Sequence, residues 1–232
     1  VAAIVPAYNE ERGIARILDV LCQCDILKEI IVVDDGSFDH TGEVVERYRQ
    51  ADSRLRLIHN DNNLGKGQAV YSGFQSTSAN CILTIDADLI GLKPQHVIDL
   101  ARPVLENETD MTLGVFRGGQ FHTDFAHWVT PWLTGQRCIR AGFFRQVSWQ
   151  AAAGYGLETA ITVAAQINGW RCQPVKWRGV SHPPSEFHRG VIYGIVTRFK
   201  MYAQILRAWV VALKDERAKA RSRKPFWDYF HF

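Results

Sequence analysis

Residues 81–92 read CILTIDADLIGL. Cys81, Ile82, Leu83 and Ile85 are apolar, and then Asp86 and Asp88 arrive with only Ala87 between them. A short apolar run closed by polar residues is the pattern of a buried strand. Side chains at i and i+2 of a strand point to the same side. The reading therefore expects a strand over 81–86 that delivers two carboxylates together at its exit. Two like charges so close repel unless a cation lies between them or their pKa values rise. Mg²⁺ is typically held by one or two carboxylates together with phosphate oxygens and water. The pair thus points to a divalent metal holding a diphosphate; the competing reading is a helix cap or a salt bridge.

The sequence upstream of this stretch alternates in period. VAAIVP (1–6), EIIVVDD (29–35) and LRLIHN (55–60) read as strands. Between them, Ile14, Ile17, Leu18 and Leu21 recur at helical spacing, 42–50 reads as a second helix, and GKGQAVYSGFQST (65–77) opens on glycines and turns helical. Downstream, 94–107 and 156–169 read as helices and 110–116 and 172–177 as strands, with an aromatic-rich, less regular stretch over 120–149. This alternation implies an α/β fold with a mainly parallel central sheet flanked by helices. In such sheets function sits at the carboxyl ends of the strands. PAYNE (6–10), VVDDGSFD (32–39), NNLGKGQA (62–69) and DADL (86–89) all fall at strand exits. Each alone is explained as a turn; all on one sheet edge converge on a crevice.

A chain of 232 residues is long enough for a full core, and 47% hydrophobic with 22% charged residues is ordinary for a globular protein. The net charge of +3 is too small to argue for nucleic acid. The cysteine count is odd at five, which fits a reducing compartment, and Cys22-x-Cys24 has no second Cys/His pair nearby to complete a zinc site. The opening VAAIV lacks a basic leader, so no signal peptide is expected, and no apolar run is long enough to span a bilayer.

The ordered set P-x-Y-N-E, V-V-D-D-G-S-x-D, N-x-G-K-G-x-A and D-A-D-L resembles the family-2 glycosyltransferases of GT-A fold, over roughly residues 1–182. GYGLETAITVAAQINGWRCQPVKWRGVSH also resembles the later part of bacterial enzymes of the polyprenyl-phosphate sugar transferase type. The resemblance implies a UDP- or GDP-sugar donor, with Pro6, Tyr8 and Glu10 framing base and ribose, and Asp35, beside Asp34, accepting from the base. It places Lys66 near base and ribose, Asp86 and Ala87 in the donor site, and Arg117 at a phosphate. Asp88, with Asp86 and His182, would hold Mn²⁺ or Mg²⁺; imidazole suits Mn²⁺ better. Glu158 would be the general base, although a carboxylate at a helix start is also a favourable cap. An acceptor that is already a lipid phosphate needs little base help, so Glu158 leaves a small hydroxyl acceptor, and a retaining outcome, open beside inverting transfer. A non-catalytic nucleotide-sugar binding module and a nucleotidyltransferase are the rival classes.

Residues 1–189 are expected to form the catalytic domain, 1–90 as its nucleotide-binding half and 91–189 as its acceptor half. Residues 190–213 read as an amphipathic helix, followed by the basic KDERAKARSRK and the aromatic PFWDYFHF. Either the helix packs on the domain, or helix and tail make a peripheral membrane contact. The expected location is cytoplasmic, peripheral at the inner face of the plasma membrane, without nucleic acid as partner.

Overall fold

In a computed structural model, residues 1–117, 134–149, 152 and 156–183 are described. The elements run β1 Ala2–Ala7, α1 Glu11–Leu21, β2 Glu29–Asp34, α2 Thr41–Ala51, β3 Leu55–His59, α3 Lys66–Gln75, β4 Cys81–Thr84, α4 Pro94–Leu105, β5 Met111–Arg117, β6 Arg137–Arg140, α5 Ala141–Phe144, α6 Leu157–Ile167 and β7 Cys172–Arg178. The expected amphipathic helix and tail over 190–232 lie outside the described residues. Among the described residues no helix is long and apolar enough to cross a membrane.

The strands join in one seven-stranded sheet of order β3-β2-β1-β4-β6-β5-β7. Burial on both faces explains its near-continuous apolar strands. Ala3, Val5, Ile30, Val32 and Leu83 face a core shared with Ile14, Ile17 and Leu18 of α1 and Val97 and Leu100 of α4. Ala2, Ile4, Ile31, Val33 and Ile82 face the opposite core with Val70 of α3 and Leu157, Ile161 and Ala164 of α6. The period-two alternation of the strands thus divides one sheet between two helical layers.

β6 pairs antiparallel with both β4 and β5, whereas the other pairings are parallel. Nothing in the sequence reading anticipated it. Its four residues, RCIR, begin and end on arginine and carry no apolar run. Arg137 is nevertheless fully buried. Its guanidinium donates to the Thr134 carbonyl at 3.0 Å and to Thr162 Oγ1 at 3.1 Å. Burial lowers its pKa to about 10, with Glu158 opposing, so it stays charged at neutral pH. Because β6 runs backwards, its first residues lie at the edge where the parallel strands end, with Arg137 opposite Thr84.

The expectation that the fourth strand reaches Asp86 is corrected: β4 stops at Thr84. Asp86 turns its N–H to the Gln136 side-chain oxygen at 3.0 Å rather than to a neighbouring strand. Asp86 and Asp88 therefore come together through a turn, not through strand alternation.

The segment after that turn is tied to the end of the chain's described part. Ile90 and Ser181 exchange both backbone hydrogen bonds, at 2.9 and 3.1 Å. Gly91 sits at φ +77°, and a Cβ there would lie 2.1 Å from the Gly179 carbonyl. Gly91→Ala is therefore expected to lower Tm by about 4–10 °C, from backbone strain and the displaced strand. Gly142→Ala is the control: no described atom lies within 4 Å of its Cβ, and it should hold or slightly raise Tm. Thermal melts of both variants, followed by circular dichroism, check the contrast.

Candidate active site

The loops after β1 and β2 cap one another. Asn9 N–H donates to Ser37 Oγ, Glu10 N–H to Thr41 Oγ1 and Glu11 N–H to Asp39 Oδ2, at 2.8–3.1 Å. In return, Phe38 N–H donates to Asn9 Oδ1 at 2.9 Å. The Glu10 and Glu11 N–H groups at the start of α1 are thus satisfied by side chains just before and at the start of α2. Burial opposes the charge on Asp39, but its hydrogen bonds to Thr41 and Glu11 outweigh this and hold its pKa below the ordinary range.

These loops carry several of the expected donor residues. Pro6 pairs with Val33 near the end of the β1–β2 ladder. Tyr8 is exposed at the rim, edge-on to Phe38 with ring centroids 6.4 Å apart. Asp34 is buried and accepts from Ser37 N–H at 3.0 Å, with His59 Nδ1 3.1 Å away on its other oxygen. Asp35 is also buried; it accepts from Asn60 Nδ2, Leu64 N–H and Gly65 N–H at 2.7–3.1 Å. The Asp35 carboxylate thus folds the loop that leads into α3, while the Asp34 carboxylate holds its own turn at Ser37 and the end of β3 at His59.

The remaining charged residues meet in the crevice. Lys66, the first residue of α3, places its ammonium 2.7 Å from Asp86 Oδ1 and 2.6 Å from Glu158 Oε1. Glu158 stands in the first turn of α6. Burial opposes the charge on Lys66, yet the two carboxylates outweigh it and keep it protonated, with its pKa above the ordinary range. Burial likewise opposes the charge on Asp86, but Lys66, His182 and Gln136 hold its pKa below the usual carboxylate range.

Asp86, Asp88 and His182 offer ligand atoms within 4.8 Å of one another. His182 Nδ1 lies 3.0 Å from Asp88 Oδ1, and its Nε2 4.0 Å from Asp86 Oδ2. Two carboxylates and an imidazole are a donor set that fits a divalent cation, with Mn²⁺ better matched to the nitrogen than Mg²⁺. Burial opposes protonation of His182, but the hydrogen bond and charge of Asp88, then Asp86, raise its pKa above the ordinary range. Glu10 completes the acidic wall: burial first, then the charges of Asp88 and Asp39, push its pKa up to about 7. Ala87 is buried, and its carbonyl lies 2.6 Å from where a Cβ on Gly13 would be, so α1 reaches this turn only with a glycine there.

The structure thus joins Glu10, Lys66, Asp86, Asp88, Glu158 and His182, while Asp34 and Asp35 hold the adjoining loops after β2 and before α3. Arg117 closes β5 opposite Arg178, and its side chain lies outside the described residues. Sequence reasoning missed Gly135 and Gln136, which precede β6. A Cβ on Gly135 would lie 2.5 Å from Lys66 Nζ and 2.7 Å from Asp86 Oδ2. A glycine followed by a buried glutamine was the available signal, but without β6 nothing placed it at this edge.

Comparison with known proteins adds the following. The description "Glycosyl transferase family 2" matches residues 2–160. The chain is 31% identical over 115 residues to the glycosyltransferase GlyG of Streptococcus pneumoniae, covering 49% of this chain and 38% of that protein. It is 38% identical over 94 residues to a dolichyl-phosphate beta-glucosyltransferase of Trichomonas vaginalis, covering 37% of this chain and 28% of that one. The chain therefore matches well under half the length of either relative. Glucosyl-3-phosphoglycerate synthase from Mycobacterium tuberculosis, solved with Mn²⁺, UDP and phosphoglyceric acid, superposes with a TM-score of 0.72 at 20% identity over 96% of this chain and 79% of that one. That likeness shows the fold.

Raised pKa values beside the candidate metal ligands have a measurable consequence. At about pH 6.5 Glu10 is largely protonated and His182, held above its ordinary pKa, carries its proton. A divalent cation favours their deprotonated forms. Mn²⁺ binding should release protons there, and the number released should fall as the pH rises through about 7, where Glu10 titrates, and further as His182 loses its proton, with affinity rising over the same range. Calorimetry in two buffers of different ionisation enthalpy measures this; no proton release at any pH would contradict it.

Proposed function

This chain belongs to glycosyl transferase family 2 and has the GT-A fold, and we propose that it moves a sugar from a nucleoside diphosphate sugar, UDP- or GDP-linked, to an acceptor. The observation that carries the reading is the Asp86–Asp88–His182 cluster at the carboxyl edge of the sheet, beside the Lys66 ammonium. Mn²⁺ or Mg²⁺ would be held by these three residues. When bound, the cation supplies countercharge to the departing diphosphate, where negative charge develops. Lys66 adds a fixed positive charge in the same crevice. Pro6, Tyr8 and the Asp34–Asp35 loop form the side where base and ribose bind, and Ala87 and Arg117 belong to the donor site. The Mn²⁺ and UDP in the mycobacterial synthase support the cofactor and the donor.

We further propose inverting transfer to a lipid-linked phosphate. The dolichyl-phosphate relative supports it. So does the Lys66–Glu158 ion pair, because Glu158 must give up that partner before it can take a proton. The basic and aromatic sequence over 214–232 suits a peripheral membrane contact at the cytoplasmic side. A small anionic hydroxyl acceptor with Glu158 as base is the second reading, favoured by the phosphoglyceric acid in the mycobacterial complex. A nucleotidyltransferase with phosphates at the start of α1 is disfavoured, because Thr41 and the Asp39 carboxylate already accept from the Glu10 and Glu11 N–H groups there.

The test is calorimetric titration of UDP, UDP-glucose, GDP and GDP-mannose, with and without Mn²⁺, into wild type and Asp88→Ala. One base should bind only with metal, and Asp88→Ala should lose at least about tenfold in affinity. Binding that ignores both the metal and Asp88→Ala would contradict the proposal.

A further inference from the structure

The loop entering β6 carries one side chain that reads Asp86 twice. Gln136 is fully buried. Its oxygen accepts the Asp86 N–H at 3.0 Å, and its Nε2 donates to Asp86 Oδ2 at 2.6 Å. Only one orientation of the amide satisfies both contacts, since the reverse sets NH₂ against N–H and oxygen against carboxylate. The Gln136 backbone is fixed on both sides as well. Its N–H donates to Thr134 Oγ1 at 3.2 Å, and its carbonyl accepts from Gly114 N–H at 2.8 Å. Gly135, just before it, leaves the space in which Lys66 meets Oδ1 of the same carboxylate.

We propose that Gln136 is a positioning residue for the donor and metal site. It locks the Asp86 carboxylate in the plane that faces His182 and Asp88, while Lys66 neutralises its other oxygen. The inference rests on the metal-binding reading above. β4 ends two residues before Asp86, so strand geometry does not orient this side chain. Without Gln136 the carboxylate is free to rotate toward Lys66 and away from the other two ligands. Outer partners that orient a ligand typically change metal affinity by about 10–100-fold when removed.

Gln136→Met keeps the volume and loses both hydrogen bonds. Gln136→Glu keeps an acceptor for the Asp86 N–H and, when ionised, loses the donor to Oδ2. Mn²⁺ affinity is measured on the intact chain without nucleotide, from the free-ion electron paramagnetic resonance signal, alongside Tm. A purely structural role lowers Tm and leaves the ion's affinity alone. The proposal expects Mn²⁺ binding weakened by about 10–100-fold in whichever variant folds, with a changed bound-ion spectrum. Affinity within twofold of wild type in either folded variant, while Asp88→Ala abolishes binding, would overturn the role of Gln136 and leave the metal site standing. A wild type that binds no Mn²⁺ even with UDP present would overturn both.

Discussion

The Lys66 ammonium lies between two carboxylates that are far apart in the sequence. Asp86 follows β4, and Glu158 opens α6. One cation thereby ties the turn after β4 to the first turn of α6. A carboxylate removed from water without a partner is costly, and two facing each other are worse. The arrangement stands only while the lysine is in place, and the backbone around it is shaped to let it in. Gly67, the next residue, is where α3 meets the chain at Ala152: a Cβ there would fall 1.9 Å from the Ala152 carbonyl. Gly135 leaves the gap that the ammonium and Asp86 fill. The buried guanidinium of Arg137 adds a second positive charge that acts on Glu158.

The same economy of polar groups holds along the rest of the crevice. Asp39, Thr41 and Ser37 serve the start of α1, and Asp35 serves the loop into α3. These bonds fix the loops before any ligand arrives, which limits the ordering cost of binding. The residues left to meet a ligand are Glu10, Asp86, Asp88 and His182, which gather at one acidic corner. A polar edge that is mostly satisfied by itself, with one acidic corner left over, is what a cation-dependent site needs.

Much of this was legible from the sequence because it is local. The apolar runs of β1, β2 and β4 and the helical spacing of Ile14, Ile17, Leu18 and Leu21 appear as read. The four polar strand exits do converge on one edge. What was not legible depends on contacts far apart in sequence. β6 has four residues and two arginines, and its burial is bought by Thr134, Thr162 and β5 rather than by its own composition. Asp86 and Asp88 do come together as their spacing suggests, but not by strand alternation, because β4 ends at Thr84. Their meeting depends on a turn, on Gln136, and on the Ile90–Ser181 pairing that brings His182 across. No local pattern marks the turn or the pairing, and Gly135-Gln136 is a signal only once β6 places it at this edge.

The most direct test of the account is a double-mutant cycle on the Lys66–Glu158 pair, with Lys66→Met, Glu158→Gln and the double variant unfolded in urea. If Lys66 holds the turn after β4 and the start of α6 together, Lys66→Met alone is the least stable of the three, and the double variant recovers part of the loss. The coupling should be about 1–3 kcal/mol. Effects that simply add, to within about 0.5 kcal/mol, would show that the ammonium does not join the two sides of the site.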